Sequence, residues 1–352
     1  MGLVSDTEVI EVDDDPAAFF SFALGRGWTD GLPVIPPTRE RVDAMLTGAP
    51  VSGQETVAVL DPRHVAVTAE KVAINAVMAG CLPEHMSTLV AAVRAIGVPD
   101  FNLHGIQGTT NPVAPLAIVN GPERIRIGVN CGRNALGQGS RANATIGRAI
   151  RLVMQNAGGG IPGETDKAIH GMPAKFSFCL GELEEDSPWE PLHVERGFDA
   201  DASTVTVVGA CSLTNSVLNL RSERMDPEIN LGTIADAMAQ KGANNVQLGG
   251  GNPLFVLPPR FAQILDEFGW TKAQVKQFLW QHGSIAESDH PPEARIPMGH
   301  PRIVDGRIHP CEAPDDIILV VAGGPEPYHV MYMANFGETV AETVAIERPV
   351  TR

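Results

Sequence analysis

The amino-acid sequence predicts an α/β protein with two topologically similar halves, the product of an internal duplication, and a cleft at the strand C-terminal ends. Three observations predict it. Short apolar or β-branched runs alternate with segments of helical spacing in the order β-α-α-β-α. A comparable succession recurs in the second half. Gly 36 and Pro 28, without any low-complexity tract, mark many tight connections in a folded chain rather than disorder.

The elements follow in order. Residues 1–50 read as an acidic tail, one helix (PAAFFSFALGRGW) and an extended strap, DGLPVIPP, whose Gly31, Pro33, Pro36 and Pro37 forbid regular helix. A short helix, RERVDAMLTG, closes this part at Gly48. The first α/β half spans 51–200. TVAVLD is its first strand, AEKVAINAVMAG and PEHMSTLVAAVRAIG are helices, PLAIVNGP is an apolar strand, and RANATIGRAIRLVMQNAGGG is a further helix. The second half spans 201–352. There TVTVVGA matches TVAVLD, LGTIADAMAQKG and PPRFAQILDEFG match the two helices, and DIILVVAGGP matches PLAIVNGP. ANFGETVAETVAI completes the series, its Asn335-Phe336-Gly337 turn opening a helix as Asn130-Cys131-Gly132 does. The Gly-Pro exits at 121–122 and 323–325 are expected to face each other across the cleft, with DGLPVIPP covering it.

The totals restrict the function. A formal charge of −16 argues against a nucleic-acid backbone or an anionic membrane surface as partner. No apolar run approaches the roughly 20 residues of a membrane span, and the N-terminus shows no secretory leader. Five scattered cysteines without a C-x-x-C pair fit a reduced, cytoplasmic protein. A homo-oligomer is expected.

Against this acidic background the stretch 101–150 is basic and rich in glycine and asparagine. It holds Arg124, Arg126, Arg133, Arg141 and Arg148 against a single acid, Glu123. Arginine forks grip carboxylates, and glycines let backbone N–H groups approach a ligand. Arg141 and Asn143, at the start of a helix behind a Gly-x-Gly-Ser turn, together with Asn130, Gly132, Thr109 and Lys175, form the expected binding set for a small anionic substrate. Arginines on a solvent face, paired with acids elsewhere, are the plainer alternative.

WTDGLPVIPPT (28–38), AGCLPEH (79–85), FNLHGIQGTT (101–110), RANATIGRAIRL (141–152) and SPWEPLHVERGF (187–198) resemble a largely uncharacterised bacterial family. That family is related to, or encoded beside, the UGSC group of thiol and selenocysteine proteins. The resemblance implies a redox neighbourhood and a small UGSC-type thiol or selenol protein as partner. The chain lacks the Sec/Cys-Gly-Ser-Cys motif; its nearest string is Cys131-Gly132-Arg133-Asn134.

Three residues are the expected catalytic set. Cys81 precedes a helix, where the partial positive charge lowers a thiol pKa. His104, in a Gly/Thr-rich segment, is placed to move a proton. Asp30 sits in the strap, where it also serves as a turn former. Phosphate-loop, dinucleotide, zinc-protease and serine-hydrolase motifs are absent, so no cofactor is expected, and a metal built from distant residues is left open. The expected function is an enzyme, of lyase or hydrolase class, that cleaves or eliminates at a carbon–heteroatom bond of a small carboxylate-bearing molecule. The alternative is a non-catalytic subunit that binds the thiol or selenol protein.

Overall fold

Leu116 and Ile118 alternate along one strand with Ala117 and Val119, yet all are buried, so this strand is covered on both faces. That observation organises the molecule. The computed structural model describes residues 9–12, 15–219 and 226–349. The chain begins with α1 (Pro16–Gly25), α2 (Arg39–Leu46), β1 (Thr56–Leu60), β2 (Val65–Thr68), α3 (Ala69–Ala79), α4 (Met86–Ile96), α5 (Leu103–Gly108) and β3 (Ala114–Asn120). It continues through α6 (Pro122–Arg126), α7 (Arg141–Asn156), β4 (Cys179–Gly181), α8 (Leu192–Glu195), β5 (Thr204–Ala210) and β6 (Thr214–Val217). Then come α9 (Pro227–Met238), α10 (Asn244–Leu248), β7 (Leu254–Leu257), α11 (Pro259–Glu267), α12 (Lys272–His282) and β8 (Ile285–Ala286). The last elements are β9 (Arg302–Val304), β10 (Arg307–His309), β11 (Ile318–Val321), β12 (His329–Met333) and β13 (Glu342–Ala345).

Among the described residues two four-stranded sheets form, in the orders β13-β5-β3-β4 and β11-β7-β12-β6. They pack face to face. Leu116, Ile118, Leu180 and Val208 of the first share one apolar cluster with Leu254, Val256, Ile318 and Val320 of the second. The outer face of the first sheet (Ala117, Val119, Val205, Val207) is covered by α3, α4 and α7. The outer face of the second (Phe255, Leu257, Leu319, Tyr332) is covered by α9, α11 and α12. The result is an α/β/β/α sandwich. Strands buried on both faces read as continuous apolar runs, which is why PLAIV and TVTVV stand out in the sequence.

The two sheets share one pattern. An edge strand lies parallel to its neighbour, β4 on β3 and β11 on β7, and two further strands follow antiparallel. In each, the fourth strand comes from the other half of the chain. After β5 the chain crosses to give β6 to the second sheet, and after β12 it crosses back to give β13 to the first. The crossing segments pair with each other at an Ala210–Asn335 bridge. There Cys211 N–H donates to Ala334 O at 2.7 Å and Phe336 N–H to Gly209 O at 2.8 Å.

This topology corrects the expected alignment of halves. TVAVLD is β1, which pairs with β2 in a separate two-stranded ribbon, whereas TVTVVGA is the interior strand β5. DIILVVAGGP is an edge strand and PLAIVNGP an interior one; by sheet position β3 corresponds to β7, and β4 to β11. ANFGETVAETVAI forms no helix. Its β-branched Thr343 and Val344 enter β13 and pair with β5. A boundary at residue 200 does not separate the sheets, because β5 and β13 both belong with β3.

Candidate functional site

The helix α7 positions most of the basic island. Ser140 caps it, its Oγ accepting from Asn143 N–H at 3.3 Å. Four of the five island arginines meet carboxylates. Arg124 binds Glu184 and Glu185, Arg126 binds Glu123, Arg133 binds Glu326, and Arg148 binds Asp30. Most of those acids come from outside the island, so its isolated positive charge is largely a property of the linear sequence. Arg141 remains partly free, with Nε donating to Gly80 O at 3.0 Å.

Asp30 is an anchor for the strap. Arg148 Nε and Nη2 each donate to its carboxylate at 2.8 Å, and Nη2 also reaches Pro33 O at 2.9 Å. Burial alone would raise this carboxyl; the hydrogen bonds and charge of Arg148 outweigh it and hold Asp30 below the usual carboxylate range. The strap therefore lies on the outer helical layer, where Ile35 N–H also donates to Met78 O. None of its residues lines the groove described below.

Cys81 is buried, and burial pushes its thiol up to about 12, against the smaller opposing pull of the Thr145 side chain and the charge of Arg141. A neutral thiol is a poor nucleophile. The neighbouring His85 is buried too and pushed down to about 4, first by burial and then by Arg141 and Arg126.

The remaining expected residues fall into separate groups. His104 is exposed on α5, its Nδ1 4.0 Å from Asp61 Oδ1, and that same oxygen meets His64 Nδ1 at 2.8 Å. Asn143 fastens a turn: its Oδ1 accepts from Asn130 N–H at 2.7 Å, while its Nδ2 donates to Asn130 O and Ala135 O. Asn130 Oδ1 in turn accepts from Gly132 N–H at 3.0 Å. Thr109 follows α5 and its Oγ1 accepts from Asn111 N–H. Lys175 donates to Asp166 at 2.8 Å beside Arg151, and burial lowers its pKa against the pull of that carboxylate. The structure thus brings Cys81 and Arg141 together and Asn130, Gly132 and Asn143 together. It leaves His104 and Lys175 with other partners.

The ends of the paired parallel strands offer two contrasting places. Beyond β3 and β4 the space is filled. Asn120 Nδ2 donates to Glu182 at 2.6 Å and to Glu184 at 2.9 Å, Leu192 N–H donates to Glu182 at 2.8 Å, and His193 is wholly buried. From α12, Lys272 and Lys276 bind Glu195. Burial raises the Glu182 carboxyl above its ordinary range.

Beyond β7 and β11 the space is open, a groove of about 540 Å³. Its walls are the 133–137 turn from the first half, Val256 of β7 and Pro258 just after it, Ala322, Gly323, Gly324 and Glu326 after β11, and Asn215, His329 and Met331 from β6 and β12. Of the expected Gly-Pro exits, Gly323 and Gly324 border this groove, whereas a side chain at Gly121 would meet Ala202 and Ser203. The 323–326 loop is tied to the island by Gly323 N–H donating to Cys131 O at 2.8 Å. An exposed two-pronged ion pair joins Arg133 Nη1, at 2.8 Å, and Nη2 to Glu326. At Gly324 a Cβ would stand 2.9 Å from Glu326 Oε2 and 3.2 Å from Arg133 Cγ, so only glycine lets the backbone pass this pair undisturbed.

His329 lies opposite, its Nδ1 3.2 Å from Asn215 Nδ2. Sequence reasoning missed Glu326, His329 and Asn215. Gly323, Gly324 and Pro325, flanking an acid, were the signal that a strand end approaches something closely.

Among the described residues no three or more His, Cys, Asp or Glu are arranged to hold a metal ion, and no helix is long and apolar enough to cross a membrane. No protein-family model and no curated protein matches the chain.

Proposed function

We propose that the chain is an enzyme acting on a small carboxylate-bearing molecule that binds in the groove at the ends of β7 and β11. One observation carries the reading: a carboxylate, that of Glu326, already occupies the Arg133 fork at the mouth of a 540 Å³ groove. Small-molecule sites favour concave surfaces with few, well-placed polar groups, and strand C-terminal ends are where α/β sheets bind ligands. Arg133 holds the ligand carboxylate. His329, beside Asn215, takes a proton from a water that attacks the carbon and passes it to the departing heteroatom, so the carbon–heteroatom bond breaks as a carbon–oxygen bond forms. No thiol takes part.

The test uses wild type, Arg133→Ala and His329→Ala with a panel of small hydroxy, amino and halo carboxylates. Binding is followed by thermal shift and turnover by product analysis. Arg133→Ala is expected to weaken binding roughly tenfold or more, the value of a charge-assisted hydrogen-bond pair. His329→Ala is expected to bind normally and to turn over about 10²–10⁴-fold more slowly. A panel that stabilises the Arg133→Ala variant as well as wild type removes the groove from consideration.

One observation favours a second reading, a non-catalytic subunit for a small thiol or selenol protein. Burial pushes all five thiols up, so no cysteine is poised as a thiolate. Co-expression with a UGSC-type protein would then give a stable complex, and the isolated chain would ignore every carboxylate in the panel.

We also infer an internal duplication in a corrected register. Its support is the shared strand order, together with Gln107-Gly-Thr-Thr-Asn-Pro112 ahead of β3 and Gln247-Leu-Gly-Gly-Gly-Asn-Pro253 ahead of β7.

A further inference from the structure

We infer that the groove selects zwitterions: molecules bearing both a carboxylate and an ammonium group, as amino acids do. The inference rests on the carboxylate-binding reading and deepens it by naming the ligand's second charge.

Among the described residues, Arg133 and Glu326 are the arginine and carboxylate that border the groove, and they are bound to each other. A ligand that takes the Arg133 fork must displace Glu326. If the ligand is a simple anion, Glu326 is left unpaired within a few ångströms of a second negative charge, and that repulsion opposes binding. A cation alone leaves Arg133 unpaired by the same logic. When the ligand carries both charges, its carboxylate replaces Glu326 on Arg133 and its ammonium replaces Arg133 on Glu326. Arg133 and Glu326 are then both paired again. The ion pair becomes a three-part chain with the ligand in the middle.

Three features make the insertion inexpensive. The side chains of Arg133 and Glu326 are 66% and 45% exposed, so water solvates both while they part. Exposed pairs of this kind contribute little to stability. Glu326 follows Gly323, at φ 112°, Gly324 and Pro325, and it is its exposed side chain, not the tethered loop, that turns aside. By contrast the island side of the mouth is fixed. Asn134 Nδ2 donates to Gln138 O at 2.7 Å, and Asn130 Nδ2 donates to Arg133 O at 2.9 Å. Arg133 thus stays as the anchor, and Glu326 moves.

The experiment titrates the full chain at low ionic strength with acetate, methylammonium and a matched series of glycine, β-alanine and γ-aminobutyrate, read by NMR chemical shifts or calorimetry. At least one zwitterion is expected to bind about tenfold or more tightly than acetate or methylammonium. Glu326→Gln should bring that zwitterion down to the level of acetate. Arg133→Gln should abolish binding of both, with thermal unfolding confirming that each variant is folded. Acetate binding as tightly as every zwitterion, or an unchanged preference in Glu326→Gln, overturns the zwitterion inference and leaves the carboxylate reading standing. Failure of every probe to bind overturns both.

Discussion

His85 shows how much a single buried side chain can dictate. It lies one turn from Cys81, wholly inside the protein, with Arg141 and Arg126 adding positive charge and Glu123 opposing them. Its pKa in the folded chain is about 4, against 6.5 when free. The unfolded chain therefore binds a proton that the folded chain refuses between those values. Stability contributed by the neutral ring is complete above pH 6.5, falls as pH drops, and levels off below about pH 4. The shift corresponds to roughly 3 kcal/mol. Urea unfolding of wild type and His85→Gln from pH 7 to pH 4 checks this. The variant is expected to lose less stability over that interval, and parallel curves would show that His85 is not the sensor. The same buried corner explains what the sequence conceals about Cys81. A cysteine just before a helix suggests an activated thiol, but depth of burial is set by the strap and α7, which come from distant parts of the chain. Desolvation outweighs the favourable charges there, and no local spacing reports it.

At the scale of elements, α7 and the strap form one unit. The strap has almost no regular hydrogen bonding of its own, so its course depends on side chains of α7. Arg148 holds Asp30 with two bonds and reaches the carbonyls of Leu32 and Pro33, while Gln155 Nε2 donates to the carbonyls of Gly27 and Thr29. The Arg148–Asp30 pair is largely buried, with side chains 15% and 6% exposed. Removing one partner leaves the other charge desolvated and alone. Arg148→Ala is accordingly expected to destabilise the protein by about 3–5 kcal/mol, measured as a lower urea midpoint. The paired change Asp30→Asn with Arg148→Met should recover part of the loss. A single variant within about 0.5 kcal/mol of wild type would mean that the strap is held by its apolar contacts instead. The helices α1, α2, α3, α4 and α7 were legible because glycine stops, prolines and threonine or serine caps mark their ends. The segment that becomes β13 was misread because Asn335-Phe336-Gly337 resembles the turn before α7. What decides its conformation is an open edge on β5, supplied from more than a hundred residues away.

For the whole molecule, the exchanged strands make the halves interdependent. The first sheet is incomplete without β13, and the second is incomplete without β6. A first half standing alone would also expose Leu116, Ile118, Leu180 and Val208, which now face the second sheet. Leaving four such side chains in water forfeits roughly 6–12 kcal/mol, as much as the entire stability of an ordinary domain. Alternating helices and strands announce an α/β protein, and that much was readable. Nothing in the local pattern reports that two sheets stack face to face or trade their last strands, because both properties concern partners rather than periods. The groove inherits this dependence: its turn at 133–137 comes from one half and its strands from the other, apart from the exchanged β6. Cutting the chain between Asn219 and Asp226 tests the argument. Co-expressed, the two fragments are expected to copurify and to unfold in a single transition, since β6 and β13 still reach their sheets. Expressed singly, each is expected to be insoluble or to lack a cooperative transition. A lone fragment that unfolds cooperatively would show that its sheet is stable without the borrowed strand, and the interlocked reading of the fold would have to be given up.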